Sequence, residues 1–189
     1  MQNLIKQEQF ECELLDKLQS GKFLNPLVFA GGTMLRLCFG LNRFSVDLDF
    51  WIIKEIDEKK FFKELKDYLS EWYVLDDAMN KFHTMLFDVK SSQYPQRLKL
   101  EIRKGVKKIK TESAIAYSVF SHKQIFLNVI PLAEMMKFKV EAFLDRREIR
   151  DVFDIEFLIK KGIALDMPSL NAKEMLEKIS KFTKRDYAV

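Results

Sequence analysis

Cysteine is scarce in this chain: there are two, Cys12 and Cys38, at no spacing that suits a metal site. So few in a chain of this length argue against a disulfide framework and for a reducing compartment. Histidine is as thin. His83 and His122 stand alone, and each reads as a surface or strand residue and not as a ligand. Only six glycines and four prolines are present, which argues against long flexible linkers. No apolar run reaches the ~18 residues that a membrane span needs. The first ten residues, Met1 to Phe10, contain no signal-peptide core. Repeats and low-complexity segments are also missing. The expected setting is therefore the cytoplasm, with no membrane partner.

What the chain does have is ordinary for a globular protein. It is 48% hydrophobic and 32% charged, and its 17 phenylalanines can fill a sizeable core. At 189 residues it suits one domain, or one domain with a helical extension. The net charge of +4 is mild but uneven. Lys99, Arg103, Lys104, Lys107, Lys108 and Lys110 cluster around Gly105, where a polyanion can dock through its phosphates. Its alternative is a solvated hairpin. A second run, Lys178, Lys181, Lys184 and Arg185, reads as a solvated helix face.

The hydrophobic periodicity gives a coarse order of elements. A helix is expected over 3–19, a strand over 27–30, a short helix over 33–39 and a strand over 46–53. Asp57 caps a helix running to about Tyr73, in which Phe61, Phe62, Leu65, Tyr68 and Leu69 recur at helical spacing. Strands follow near 82–89, 97–103 and 125–129, with a short one near 115–120. Helices close the chain near 132–145, 148–161 and 171–183, with Gly162 as a stop. Strands with a crossover helix and then a helical run make an α+β fold. The boundary falls between a mixed-sheet core, 1–130, and a helical part, 131–189.

The chemistry concentrates in residues 29–50. The apolar run Leu27–Ala30 ends in Gly31-Gly32, a turn that lets a ligand approach the backbone closely. Thr33 is expected as the N-cap of the following helix, and Gly40 as its stop. Free N–H groups at a helix start favour an anion such as phosphate. Beyond the loop, Val46–Ile53 alternates as a strand does. Asp47 and Asp49 then share one face, about 7 Å apart at the backbone, while Leu48 and Phe50 face the core. Two such carboxylates repel unless a cation sits between them. Their hard oxygens suit Mg²⁺ held together with substrate phosphates. The alternative for an isolated Asp-x-Asp is a polar stripe on an edge strand.

Gly31-Gly32-Thr33, Leu35-Arg36, Gly40-Leu41, Arg43-Phe44-Ser45 and Asp47-Leu48-Asp49-Phe50 together resemble the opening motif of the AbiEii/AbiGii-type nucleotidyltransferase toxins, in the polymerase-β-like nucleotidyltransferase superfamily. Val46 departs from the family pattern, which often has Glu there. Thr33 stands where the superfamily more often has Ser, and keeps the hydroxyl. Arg97–Arg103 alternates strictly, with Lys99, Glu101 and Arg103 on one face. Glu101 resembles the superfamily's third acidic residue. Further on, Lys139, Ala142, Arg146, Arg150, Asp151 and Asp154 look like the family's helical signature. If that helix is continuous, Lys139, Ala142, Arg146 and Arg150 lie near one face.

The resemblance implies a mixed sheet flanked by helices, with a helical C-terminal part that completes the nucleotide pocket. It implies an enzyme that uses a nucleoside triphosphate with Mg²⁺, or Mn²⁺ in its place. Asp47, Asp49 and Glu101 are the implied metal ligands, and with Lys139 the catalytic group. Gly31, Gly32, Thr33, Arg36, Arg43, Ser45, Lys139 and Asp151 are the implied nucleotide-binding residues. It also implies a toxin of a type IV toxin–antitoxin or phage-defence system, with a cognate antitoxin and an RNA acceptor such as transfer RNA. The other readings are transfer to a protein or small molecule, and a catalytically silent nucleotide- or RNA-binding module of the same fold.

Overall fold

The alternating segment becomes β2 (Asp47–Ile52), the fourth strand of a seven-stranded sheet, where a core on both faces can form around it. The computed structural model describes residues 1–183 and 186, and Lys184 and Arg185 of the C-terminal basic run lie outside the described residues. The chain divides into two units, Met1–Ile130 and Pro131–Val189.

In the first unit, α1 (Gln2–Ser20) precedes β1 (Leu27–Ala30), α2 (Gly31–Phe39) and β2. Then follow α3 (Glu58–Ser70), β3 (Val74–Asn80), β4 (Thr84–Lys90), β5 (Leu98–Arg103), β6 (Glu112–Tyr117) and β7 (Gln124–Val129). The strand order is β3-β4-β5-β2-β1-β7-β6. It is a mixed sheet, because β2 runs antiparallel to β1 but parallel to β5, and β1 runs parallel to β7. The α+β reading holds.

Local chemistry explains most of the boundaries. All four residues of β1 are buried, so the strand is apolar throughout and does not alternate. Leu48 and Phe50 go into the core as expected, at 0% and 1% exposure. Asp57 caps α3 by accepting the N–H groups of Lys59 and Lys60, each at 3.0 Å. Gly40 ends α2 in the left-handed region, φ 82°, and its N–H reaches the Arg36 carbonyl while that of Leu41 reaches Leu35. Fully buried Phe10, Phe29, Phe50 and Phe87 anchor the core.

Two segments differ most from expectation. The expected order has no element over residues 74–80, where β3 lies. It is an edge strand with a bulge between Leu75 and Asp77, too polar and too exposed to alternate clearly. The strand expected near 115–120 begins earlier, at Glu112.

The second unit is three helices: α4 (Leu132–Arg146), α5 (Ile149–Lys160) and α6 (Ser169–Ser180). The signature segment is not one continuous helix. Arg147 takes the left-handed conformation, φ 53°, and ends α4. Arg150 therefore leaves the face of Lys139 and Arg146 and pairs instead with Glu148.

Candidate active site

Sequence proximity becomes spatial convergence around the start of α2. Gly31 has φ +78°, and a Cβ there would run into the Asp49 carboxylate. A Cβ on Gly32 would lie 2.7 Å from the Arg43 guanidinium and 2.8 Å from the Ser45 hydroxyl. Gly31 is favoured by its backbone and by close approach, and at Gly32 a Cβ would displace the Arg43 and Ser45 side chains. The α2 start, Arg43, Ser45 and Asp49 therefore line one place. Arg43 also donates to the Phe44 carbonyl at 3.0 Å.

The carboxylates are brought together by strand register. β2 and β5 run parallel with Asp47 beside Lys99 and Asp49 beside Glu101. All four side chains are thus on one face of the sheet. Glu101 is 23% exposed, and its Oε2 accepts the Lys99 ammonium at 2.9 Å. That hydrogen bond, with the negative charge of Glu101, Asp47 and Asp49 close by, outweighs burial and raises the Lys99 amine above its usual value.

This donor set fits a hard divalent cation: oxygen ligands only, on one face, in adjacent strands, next to a glycine turn. Among the described residues, no group of three or more His, Cys, Asp and Glu side chains is gathered for metal binding as the side chains stand. Glu101 is engaged by Lys99 in this arrangement.

Thr33 and Arg36 are placed otherwise than expected. The helix starts at Gly31 with Ala30 as its N-cap, so Thr33 is not the cap. Its hydroxyl is fully buried and donates to the Asp47 carbonyl at 2.6 Å. Thr33 thereby ties α2 to β2. Arg36 donates its Nε to Glu8 and its Nη1 to the Leu41 carbonyl at 3.2 Å. Its guanidinium lies 4.0 Å over the Phe44 ring. That is a structural engagement, with the side chain 15% exposed.

The sequence reading passed over Glu8, Glu11 and Gln7 on α1. All three are buried. Glu8 takes Arg36 and Ser118, while neither carboxyl oxygen of Glu11 has a hydrogen-bond partner. Burial, then the charge of Glu8, pushes the Glu11 carboxyl well above the usual range, with Arg36 acting the other way. A signal did exist: Gln7, Glu11, Leu14 and Leu18 follow the 4-3-4 spacing of a core stripe, and two of its members are polar. The two thiols take no part. Burial pushes Cys12 and Cys38 up to about 12, so they stay protonated.

In the second unit, Lys139 is 8% exposed at its side chain and reaches Asp154 at 2.6 Å and Asp151 at 3.4 Å. Arg146 donates its Nε and Nη2 to the two oxygens of Asp151, each at 2.8 Å. Burial pushes the Asp151 carboxyl up, but Arg146 and Lys139 outweigh it and hold it below the usual range. Lys139, Arg146, Asp151 and Asp154 thus assemble across α4 and α5, buried but for Arg146, while Arg150 stays out. The basic cluster is partly committed: Lys104 pairs with Glu58 at 3.2 Å, and Lys107 lies 5.8 Å from the Trp51 ring centre. Lys107, Lys108 and Lys110 remain exposed. In the C-terminal run, Lys178 donates to the Leu144 carbonyl, and Lys181 holds Glu177 at 2.5 Å.

Among the described residues no helix is long and apolar enough to cross a membrane. No curated protein matches the chain. Solved structures do. JHP933 from Helicobacter pylori is 27% identical with a TM-score of 0.52, and the match covers 79% of this chain and 66% of that one. The chain thus spans just under two thirds of that relative. A second Helicobacter pylori protein, assigned provisionally as a nucleotidyltransferase, is 25% identical with a TM-score of 0.55, over 80% of this chain and 68% of that one. An antigenic nucleotidyltransferase-like protein from Paracoccidioides brasiliensis shares the fold, with a TM-score of 0.53 at 17% identity over 93% of this chain and 86% of that one. The profile described as "Nucleotidyl transferase AbiEii toxin, Type IV TA system" matches residues 13–188, and the chain belongs to that family.

Proposed function

We propose that this protein is a metal-dependent nucleotidyltransferase that moves a nucleotide from a nucleoside triphosphate to an acceptor hydroxyl, with RNA of the transfer RNA class as acceptor. The observation that carries the reading is Asp47 and Asp49 on one face of β2, with Glu101 in register on β5 and the Gly31-Gly32 turn against Asp49 and Ser45. Family membership supports the reaction class. The toxin role, a phage-defence setting in the cytoplasm and a cognate antitoxin belong to the same proposal.

In this reading Asp47, Asp49 and Glu101 would hold Mg²⁺, or Mn²⁺. Such an ion supplies a Lewis acid for the phosphoryl oxygens and lowers the pKa of a bound hydroxyl. The N–H groups at the α2 start face the triphosphate, where the helix dipole favours negative charge. Arg43 and Ser45 add a cation and a hydroxyl donor beside Gly32. The acceptor oxygen bonds to the α-phosphorus, the bond to the bridging oxygen of the β-phosphate breaks, and pyrophosphate leaves. Glu101 takes the acceptor's proton, and Lys99 beside it steadies the carboxylate between steps. Lys139, held by Asp151 and Asp154 within the second unit, is the lysine of the family's helical signature in this reading. The exposed Lys107, Lys108 and Lys110 suit a phosphate backbone.

The test is transfer of label. Purified protein is mixed with Mg²⁺, each labelled nucleoside triphosphate in turn, and total transfer RNA. Label entering RNA supports the proposal and names the donor. Label entering a protein band moves the acceptor to that class. No transfer and no nucleotide binding leaves the catalytically silent module.

A further inference from the structure

We propose that Glu8 is a positioning residue: through Arg36 it fixes the loop Gly40–Val46, and so sets Arg43 and Ser45 against Gly32. This rests on the nucleotidyltransferase reading for its consequence but not for its geometry.

The loop joins α2 to β2 and carries Arg43 and Ser45, which face Gly32, before delivering Asp47. Arg36 meets that loop twice, by a hydrogen bond to the Leu41 carbonyl at 3.2 Å and by its stack on Phe44 at 4.0 Å. What aims Arg36 is Glu8, 3% exposed, whose Oε2 accepts its Nε. Glu8 is itself anchored, since its Oε1 accepts the Ser118 hydroxyl at 2.5 Å. The Ser118 oxygen in turn accepts the Phe120 N–H at 3.0 Å. A chain of contacts thus runs from the turn after β6, through α1 and α2, to the loop.

Glu11 explains why Glu8 holds this place alone. It lies one turn further along α1, is fully buried, and neither of its oxygens has a hydrogen-bond partner. Its carboxyl is pushed well above the usual range, first by burial and next by Glu8. Glu8, and not Glu11, is the carboxylate that accepts a hydrogen bond from Arg36. A buried ion pair is a poor source of net stability but fixes geometry well, because leaving either charge alone is costly.

The test uses the full chain with Glu8→Gln, which keeps the shape and removes the charge, and Glu8→Asp, which keeps the charge. Two readouts are taken: amide hydrogen exchange across residues 40–46, and KM and kcat for the nucleoside triphosphate. Glu8→Gln is expected to speed exchange in the loop and raise KM, each by about tenfold, the scale of one charge-assisted hydrogen bond. kcat is expected to change much less, and Glu8→Asp to restore part of both. Ser118→Ala, which frees Glu8 without deleting it, should give the same pattern more weakly, and it decides the matter if Glu8→Gln does not fold. A lower unfolding midpoint with loop exchange and KM as in the wild type would overturn the proposal. If the wild type neither binds nor transfers a nucleotide, the functional reading fails, and the exchange result alone then decides whether Glu8 holds the loop.

Discussion

Two acidic groupings in this chain look alike in sequence and differ in kind. Asp47, Asp49 and Glu101 line one sheet face with partial exposure, and the Lys99 that pairs with Glu101 is itself 44% exposed. Asp151 and Asp154 are 0% exposed at their side chains and already hold Lys139 and Arg146. A carboxylate within reach of water can exchange one cation for another at little cost. A buried one cannot, because its partner's loss leaves an uncompensated charge in low dielectric. The first grouping suits chemistry. The second is a brace before it is anything else, and its charge is available only as the network holds it.

The largest effect that separates them is on the first. Asp47→Asn or Asp49→Asn should lower label transfer by about a thousandfold, corresponding to about 4 kcal/mol of transition-state stabilisation. Neither should weaken folding by more than about 1 kcal/mol, since surface-facing substitutions rarely do. Transfer rates beside urea unfolding curves check both halves.

Lys139→Ala inverts that pattern. It should cost the second unit about 3 kcal/mol of stability, the scale of breaking one side of a buried pair. Hydrogen exchange of α4 and α5 reads it directly. An unchanged protection pattern would make Lys139 a free functional cation and undo the contrast.

Gly31→Ala tests whether the glycine turn belongs to the first grouping. Its φ of +78° and the Asp49 carboxylate in the path of a Cβ both oppose it. The expected cost is about 2 kcal/mol, from a left-handed conformation and a displaced carboxylate. The displaced Asp49 carboxylate should separately lower transfer by about tenfold, as a loss of about 1.4 kcal/mol of transition-state stabilisation.

Several of these residues were legible in the sequence for physical reasons. β2 was plain because Asp47-Leu48-Asp49-Phe50 alternates polar and apolar. α3 was plain because Asp57 sits where a cap must, and the α2 stop because Gly40 can take positive φ. β3 was missed because Asp76 and Asp77 interrupt its pattern at a bulge, and an edge strand needs no apolar face. Thr33 was misjudged because a hydroxyl after a glycine pair matches a cap as well as a tether. Only the fold shows that the Asp47 carbonyl lies within its reach. Lys139, Asp151 and Asp154 were legible as a group but not as buried, since charged helix faces are usually solvated. The break at Arg147 was legible in the helix bounds 132–145 and 148–161, although no glycine marks it.

A smaller effect comes from that tether. Thr33→Val keeps the shape and removes the bond to the Asp47 carbonyl, leaving a buried acceptor without it. Stability should fall by about 1 kcal/mol, and Thr33→Ser should recover most of that loss. Thermal unfolding of the three proteins checks it.

The smallest is the response to acid. The folded Asp151 carboxyl lies below its unfolded value, so its contribution is complete above about pH 4 and is lost as pH falls through the lower, folded value. Protection of α4 and α5 amides, corrected for intrinsic exchange, should hold from pH 6 to about pH 4 and then decline. Arg146→Ala should shrink that decline and raise the pH at which it ends.

The most direct test of the contrast is calorimetric titration of a non-hydrolysable nucleoside triphosphate, with and without Mn²⁺. It is run on the wild type, on Asp47→Asn/Asp49→Asn, and on Asp154→Asn. The account predicts Mn²⁺-dependent binding in the wild type and its loss in the double variant. It also predicts that the double variant's unfolding midpoint stays within about 4 °C of the wild type's. Asp154→Asn should show the reverse, a lower midpoint with binding retained by the folded protein. Equal binding by the wild type and the double variant would contradict the account, because the carboxylates on β2 would then be no more than a polar stripe.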